Sequence, residues 1–164
     1  MKIVYRLSDW VYKIEKVLAV IFGAAILISL SAGVIYRYFL KVPLLWSDEI
    51  AIFSLAWITF IGGSMGIKQN ASPSITMLTD FLKGKVKKIV LIMGFLVMVA
   101  FIGYVLYLSV NWLNSPNILV QKSNTMQMPK IWSYLCIPIS FVFMLVHSLE
   151  LLVKGLYSSD GEAF

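Results

Sequence analysis

The chain has 164 residues, of which 60% are hydrophobic and only 13% charged, and its mean hydropathy is +0.86. That balance excludes a domain whose main solvent is water. The formal net charge of +6 does not point to nucleic acid, because the 14 basic residues sit between apolar runs, where they report on membrane orientation. A hydrocarbon core about 30 Å thick, crossed at about 1.5 Å per residue, calls for about 20 mostly apolar residues per span. Residues 17–36, 50–67, 89–113 and 131–149 meet that test, and none of these segments contains Asp, Glu, Lys or Arg. The expected fold is an all-α integral membrane protein, one domain over 1–164 with four transmembrane helices and short interfacial amphipathic helices.

Before the first span, Ile3, Leu7, Trp10 and Ile14 form an apolar stripe beside Lys2, Arg6 and Lys13. The stripe fits an interfacial helix or an extension of the first span. A cleaved leader is the rival for the first span, since Ser29, Ser31 and Ala32 resemble a cleavage site. Asp9 and Glu15 inside the supposed leader, and an apolar run that continues to Tyr36, favour a retained helix. Ala25, Ser29 and Gly33 recur every four residues along this span, a track that lets another helix approach closely.

Tyr36, Tyr38, Trp46, Trp112, Trp132 and Tyr134 flank the first and third connections as an aromatic belt at one water interface. Pro43, Trp46, Ser47, Asp48 and Glu49 read as a helix start, with Ser47 as cap and two acids in the first turn. In the second span Trp57 lies near mid-membrane, so its indole is expected to face protein. Gly62 and Gly66 repeat the four-residue interval and are candidate helix-contact positions, within the chain or toward a partner.

Ile75, Leu78 and Leu82 share one helical face ahead of a basic cluster, fitting a short interfacial helix or a solvated loop. Residues 114–130 form the other exposed connection, and Pro138 is expected to kink the fourth span. His147, near the end of that span, reads as an interfacial histidine. Cys136 is the single cysteine, which excludes a disulfide framework or a thiol pair. No cluster calls for a metal or a cofactor, and of the Asp, Glu, Lys, Arg and His residues only His147 falls within the four spans. Neither an enzyme nor a self-sufficient ion-coupled carrier is expected.

Ten basic residues lie before the first span, between the second and third, and after the fourth; the other four are Arg37, Lys41, Lys122 and Lys130. By the positive-inside rule both termini face the cytoplasm.

Residues 37–50 read RYFLKVPLLWSDEI, and here the chain resembles the small membrane subunit, Q, of the tripartite ATP-independent periplasmic (TRAP) transporters. Arg37, Tyr38, Pro43, Trp46, Ser47, Asp48 and Glu49 match that family's pattern. Gly62, Gly63 and Gly66, the MPKIW run at 128–132, Pro138, the length and the topology extend the likeness over the whole chain. Leu45 stands where the family often has Pro, Asp48 where Glu is frequent, and Ser72 and Thr76 where a His and an Asp are common. The resemblance implies a sodium-driven importer of an organic acid, of sialic acid or C4-dicarboxylate type with a lean toward sialic acid, in the bacterial inner membrane. Its large M subunit would carry substrate, a periplasmic binding protein P would deliver it, and this chain would be a lipid-embedded scaffold. The residues matched above, together with Trp57, Gly62 and Gly66, become candidate subunit contacts.

Overall fold

A computed structural model describes residues 2–69 and 84–157. The proposed interfacial helix around Ile75, Leu78 and Leu82 lies outside the described residues. Among those described, four long apolar helices dominate. They are α1 (Lys2–Ile35), continued by a π-helical turn at Tyr36–Leu40; α2 (Leu45–Lys68); α3 (Gly84–Leu113); and the pair α5 (Ile131–Tyr134) and α6 (Cys136–Tyr157). One-turn α4 (Pro116–Leu119) sits in the connection after α3. All four are long and apolar enough to cross a membrane.

The stretch before the first span is no separate helix. α1 runs unbroken for 34 residues, about 51 Å, well beyond the ~30 Å hydrocarbon core. It ends where the π turn hands over to Lys41, whose left-handed backbone (φ 54°) directs its N–H back to the Tyr36 carbonyl. Pro43 follows, and α2 begins two residues later. The fourth span breaks at Leu135. Pro138 lacks the N–H that would bond the Tyr134 carbonyl, and its ring crowds that oxygen, so the expected kink falls in the turn just before α6.

α6 is the hub. It packs on α2, α3 and the first half of α1, α1 lies along α2, and α3 touches chiefly α6. The outer surface is hydrocarbon, whereas the seams hold polar side chains as well as apolar ones. Lys68 of α2 meets both Asp9 of α1 and Glu150 of α6, which places the start of α1 and the ends of α2 and α6 at one end, called here the terminal end. Buried Ser29, Ser47, Ser54, Ser64, Ser140 and Ser148 line the contacts. In lipid, helices gain nothing by hiding hydrocarbon from hydrocarbon, so close approach at small residues carries the packing. The hydroxyls of Ser47 and Ser148 donate to the carbonyls three residues before them, at Leu44 (2.7 Å) and Leu145 (3.0 Å), which offsets the cost of burying them. A small apolar cluster of Leu91, Phe95 and Leu151 closes the α3–α6 seam.

The tightest approach is between α1 and α2. A Cβ on Gly33 would lie 2.7 Å from Ser47 Oγ, closer than any real contact. Gly33→Ala should therefore destabilise the chain by about 1–3 kcal/mol, the usual cost of overpacking. Removing the opposing hydroxyl with Ser47→Ala in the same chain should restore most of the loss. Denaturant titration in detergent, read as a double-mutant cycle, measures both.

Candidate functional site

The residues singled out around the first connection do not act as one unit. Arg37, Tyr38, Pro43 and Trp46 are exposed, and Arg37 makes no ion pair among the described residues. Ser47 is not the cap. α2 starts at Leu45, and the Ser47 side chain is buried against α1 while donating to the Leu44 carbonyl. Asp48 does lie in the first turn, exposed and without an ion-pair partner among the described residues.

Glu49 departs from the capping role. It reaches across to the connection between α4 and α5, where Lys122 and Pro129 pair as a single antiparallel bridge and Ser123 N–H bonds the Met128 carbonyl at 2.8 Å. Gln127 takes a left-handed conformation (φ 54°) to close this small hairpin. One Glu49 oxygen accepts from Thr125 N–H at 2.7 Å, and the other accepts from Met126 N–H at 3.0 Å and from the Ser123 hydroxyl. A carboxylate filling a concave row of donors fixes the loop by charge-assisted bonds. Its partners lie 74 to 77 positions away, beyond any local sequence signal.

Trp57 faces protein. Its ring stacks on Phe22 at 5.2 Å between centroids, and its Nε1 donates to the Trp132 carbonyl at 3.2 Å, in the turn that Pro138 interrupts. Gly62 and Gly66 do the opposite. A Cβ on either would meet nothing within 4 Å among the described residues, so none of the described helices packs on them; the internal close approach falls instead at Gly63, beside the Met144 side chain.

At the terminal end the structure gathers groups that lie far apart in the sequence. His147 is not interfacial. α6 continues to Tyr157, which puts His147 mid-helix with no exposed surface. Its Nδ1 lies 2.6 Å from Ser8 Oγ and its Nε2 3.0 Å from Glu15 Oε2, and Ser8 and Glu15 are also fully buried. Glu15 belongs to the unbroken α1, so a carboxylate does stand inside the bundle. Beside this trio Lys68 bridges Asp9 (2.9 Å) and Glu150 (2.5 Å), and Gln69 donates to the Tyr12 hydroxyl. The available signal was one of pairing across helices: Asp9 and Glu15, Lys68, and His147 and Glu150 all fall at the same end once the helices alternate in direction.

A serine, a histidine and a glutamate in line resemble a nucleophile with its base. Hydrolysis would need a substrate carbonyl to reach Ser8, and burial of all three side chains closes that route. What the arrangement does is hold helices. Ser8 and Glu15, two turns apart on α1, clamp one imidazole of α6 from both ring nitrogens.

Comparison with known proteins places these features in context. The family model described as "Tripartite ATP-independent periplasmic transporters, DctQ component" matches residues 26–157. The C4-dicarboxylate TRAP transporter small permease protein DctQ of Vibrio cholerae is 27% identical over 84 residues, covering 51% of this chain and 36% of that protein. The sialic acid TRAP transporter small permease protein SiaQ of the same organism is 28% identical over 138 residues, covering 84% of this chain and 78% of that protein. The match thus spans about a third of the length of the first relative and most of the second. The family match starts at Ile26, beyond Ser8 and Glu15.

Removing one partner of a buried ionisable pair costs on the order of 3–5 kcal/mol, because the other is left uncompensated. His147→Ala should accordingly lower the thermal midpoint of the detergent-solubilised chain steeply, and Glu15→Gln, which keeps a neutral polar partner for the imidazole, should lower it much less. A separate check concerns Glu49. Glu49→Gln should leave the four helices intact by circular dichroism while residues 123–127 become the first site of proteolytic cleavage.

Proposed function

The chain belongs to the family of DctQ components of the tripartite ATP-independent periplasmic transporters, and on that premise we propose that it is the small scaffold subunit of a sodium-coupled importer of an organic acid. The observation that carries this reading is the family match over residues 26–157. The interior supports the scaffold role. Its charged groups are engaged in holding α1, α2 and α6 together, and the trio at His147 is sealed. A substrate or ion path through this chain alone would have to break the bonds that fold it.

The large M subunit then moves substrate and sodium, and this chain packs against it in the bacterial inner membrane with lipid on its remaining faces. The ten-to-four distribution of basic residues supports a cytoplasmic terminal end. The loop held by Glu49 and the exposed Arg37, Tyr38, Pro43 and Trp46 would face the periplasm, where the binding protein docks. The longer coverage of the sialic acid relative supports an acidic sugar over a C4-dicarboxylate as cargo.

Co-expression with the large subunit and the binding protein tests the proposal. The tagged chain should bring the large subunit down from detergent extract. Sodium-dependent uptake of sialic acid into proteoliposomes should require all three proteins. Uptake by the purified single chain, or failure of the wild-type chain to co-purify with the large subunit, would overturn the scaffold reading. Single cysteines in a Cys136→Ser background fix the orientation. Lys41→Cys and Asn117→Cys should react with an impermeant maleimide on whole cells, whereas Lys87→Cys should not.

A further inference from the structure

We infer that the outward face of α2 from Asp48 to Gly66 is the seat of a membrane-spanning helix of the large subunit, one that carries an arginine or lysine at its Asp48 end. The inference rests on the small-subunit reading above and adds the surface and the chemistry of its partner.

Leu45, Asp48, Ile52, Leu55, Thr59, Gly62 and Gly66 follow one another at intervals of three and four, so they form a single line down α2. All are exposed except Gly66, which is half-exposed. From Asp48 to Gly66 the line covers 18 residue steps, about 27 Å, close to the thickness of the hydrocarbon core. At its Asp48 end a groove of about 540 Å³ opens between α1 and α2, lined by Ile26, Leu30, Asp48, Ala51, Ile52 and Leu55.

Lipid is a poor occupant for this face. Asp48 stands at the mouth of an otherwise hydrocarbon groove without an ion-pair partner among the described residues, and it repels the phosphate of a headgroup. A cationic side chain there would be paired and partly desolvated, the setting in which an ion pair gains strength. Acyl chains also draw no benefit from a missing side chain. Gly62 and Gly66 present bare backbone with none of the described residues within 4 Å of a Cβ there, the feature that lets a second helix come close.

α3 supplies the contrast. Between Ile89 and Leu108 it exposes hydrocarbon and aromatic side chains and no charged one. The groove it forms with α6, lined by Val105, Leu108, Ser109, Trp112 and Ile137, is likewise uncharged. Its glycines at 94 and 103 are nine positions apart, on opposite sides of the helix. That surface suits lipid.

The matched glycines make the test. A Cβ at Gly62, Gly66, Gly94 or Gly103 meets nothing within 4 Å among the described residues, and an unchanged thermal midpoint of each isolated leucine variant is the control that its own fold accepts the larger side chain. In the co-expressed complex, Gly62→Leu and Gly66→Leu should reduce recovery of the large subunit about tenfold or more, and Gly94→Leu and Gly103→Leu should not. Asp48→Arg should reduce recovery, and Asp48→Asn should do so less. Loss with the α3 variants and normal recovery with the α2 variants would overturn this face and leave the small-subunit reading standing. Disulfide-linked pairs of Ile52→Cys chains in the assembled membrane would assign the face to a second copy and overturn it too. Absence of the large subunit from the wild-type pull-down would defeat the small-subunit reading and this inference with it.

Discussion

Everything in this bundle depends on the imidazole of His147. In a bilayer the exterior of each helix is as apolar as the solvent around it, so burial of hydrocarbon cannot choose which helix faces lie together. A polar group without a partner in that medium costs several kcal/mol, so polar pairing makes the choice instead. His147 satisfies both ring nitrogens on α1 and takes Glu15 out of contact with lipid in the same act. One turn further along α6, Glu150 does the same for Lys68 of α2. These two positions set the rotation of α6 about its axis, and α3 then packs on the face that remains.

Serine and glycine recur along the seams between these anchors, beside a few buried apolar side chains such as Ile61 and Phe95. The hydroxyls of Ser47 and Ser148 bond carbonyls of their own chain segment and so add no unpaired donor where the backbones approach, and the Gly33–Ser47 contact shows how little clearance is left. Aromatic groups act at a few fixed levels. Trp57 ties α1 to the broken start of the fourth span, and Phe60 meets Phe141 at 6.3 Å. The interior is thus ordered by geometry, while hydrocarbon area governs only the outside.

How much of this was legible in the sequence follows from the range of each signal. The spans, the break associated with Pro138 and the aromatic belt are local in sequence and could be read from hydropathy and residue type. The site residues were harder. Glu49 looked like a cap because a first-turn acid has an adequate local explanation, and nothing nearby announces a hairpin more than 70 positions away. His147 looked interfacial because the apolar count ended at Leu149, whereas α6 goes on through Glu150 and Lys154 once those charges find a partner or reach the helix end. The four-residue interval of Gly62 and Gly66 is plain in the sequence, but only the fold separates glycines whose Cβ would meet another helix, such as Gly33 and Gly63, from those left bare.

The pairing of Glu15 with His147 also has a consequence in time. The two residues are 132 positions apart, one on α1 and the other on α6. At about 5–20 residues per second, a ribosome needs roughly 7–26 s to travel between them. Throughout that interval a newly inserted α1 holds a carboxylate with no imidazole to meet it. The nascent first helix must wait near water, near the insertion machinery or beside a partner protein until α6 emerges. A chain cut short before α6 keeps an uncompensated acid within its first helix, which marks it as unfinished to any membrane protease that recognises loosely held helices.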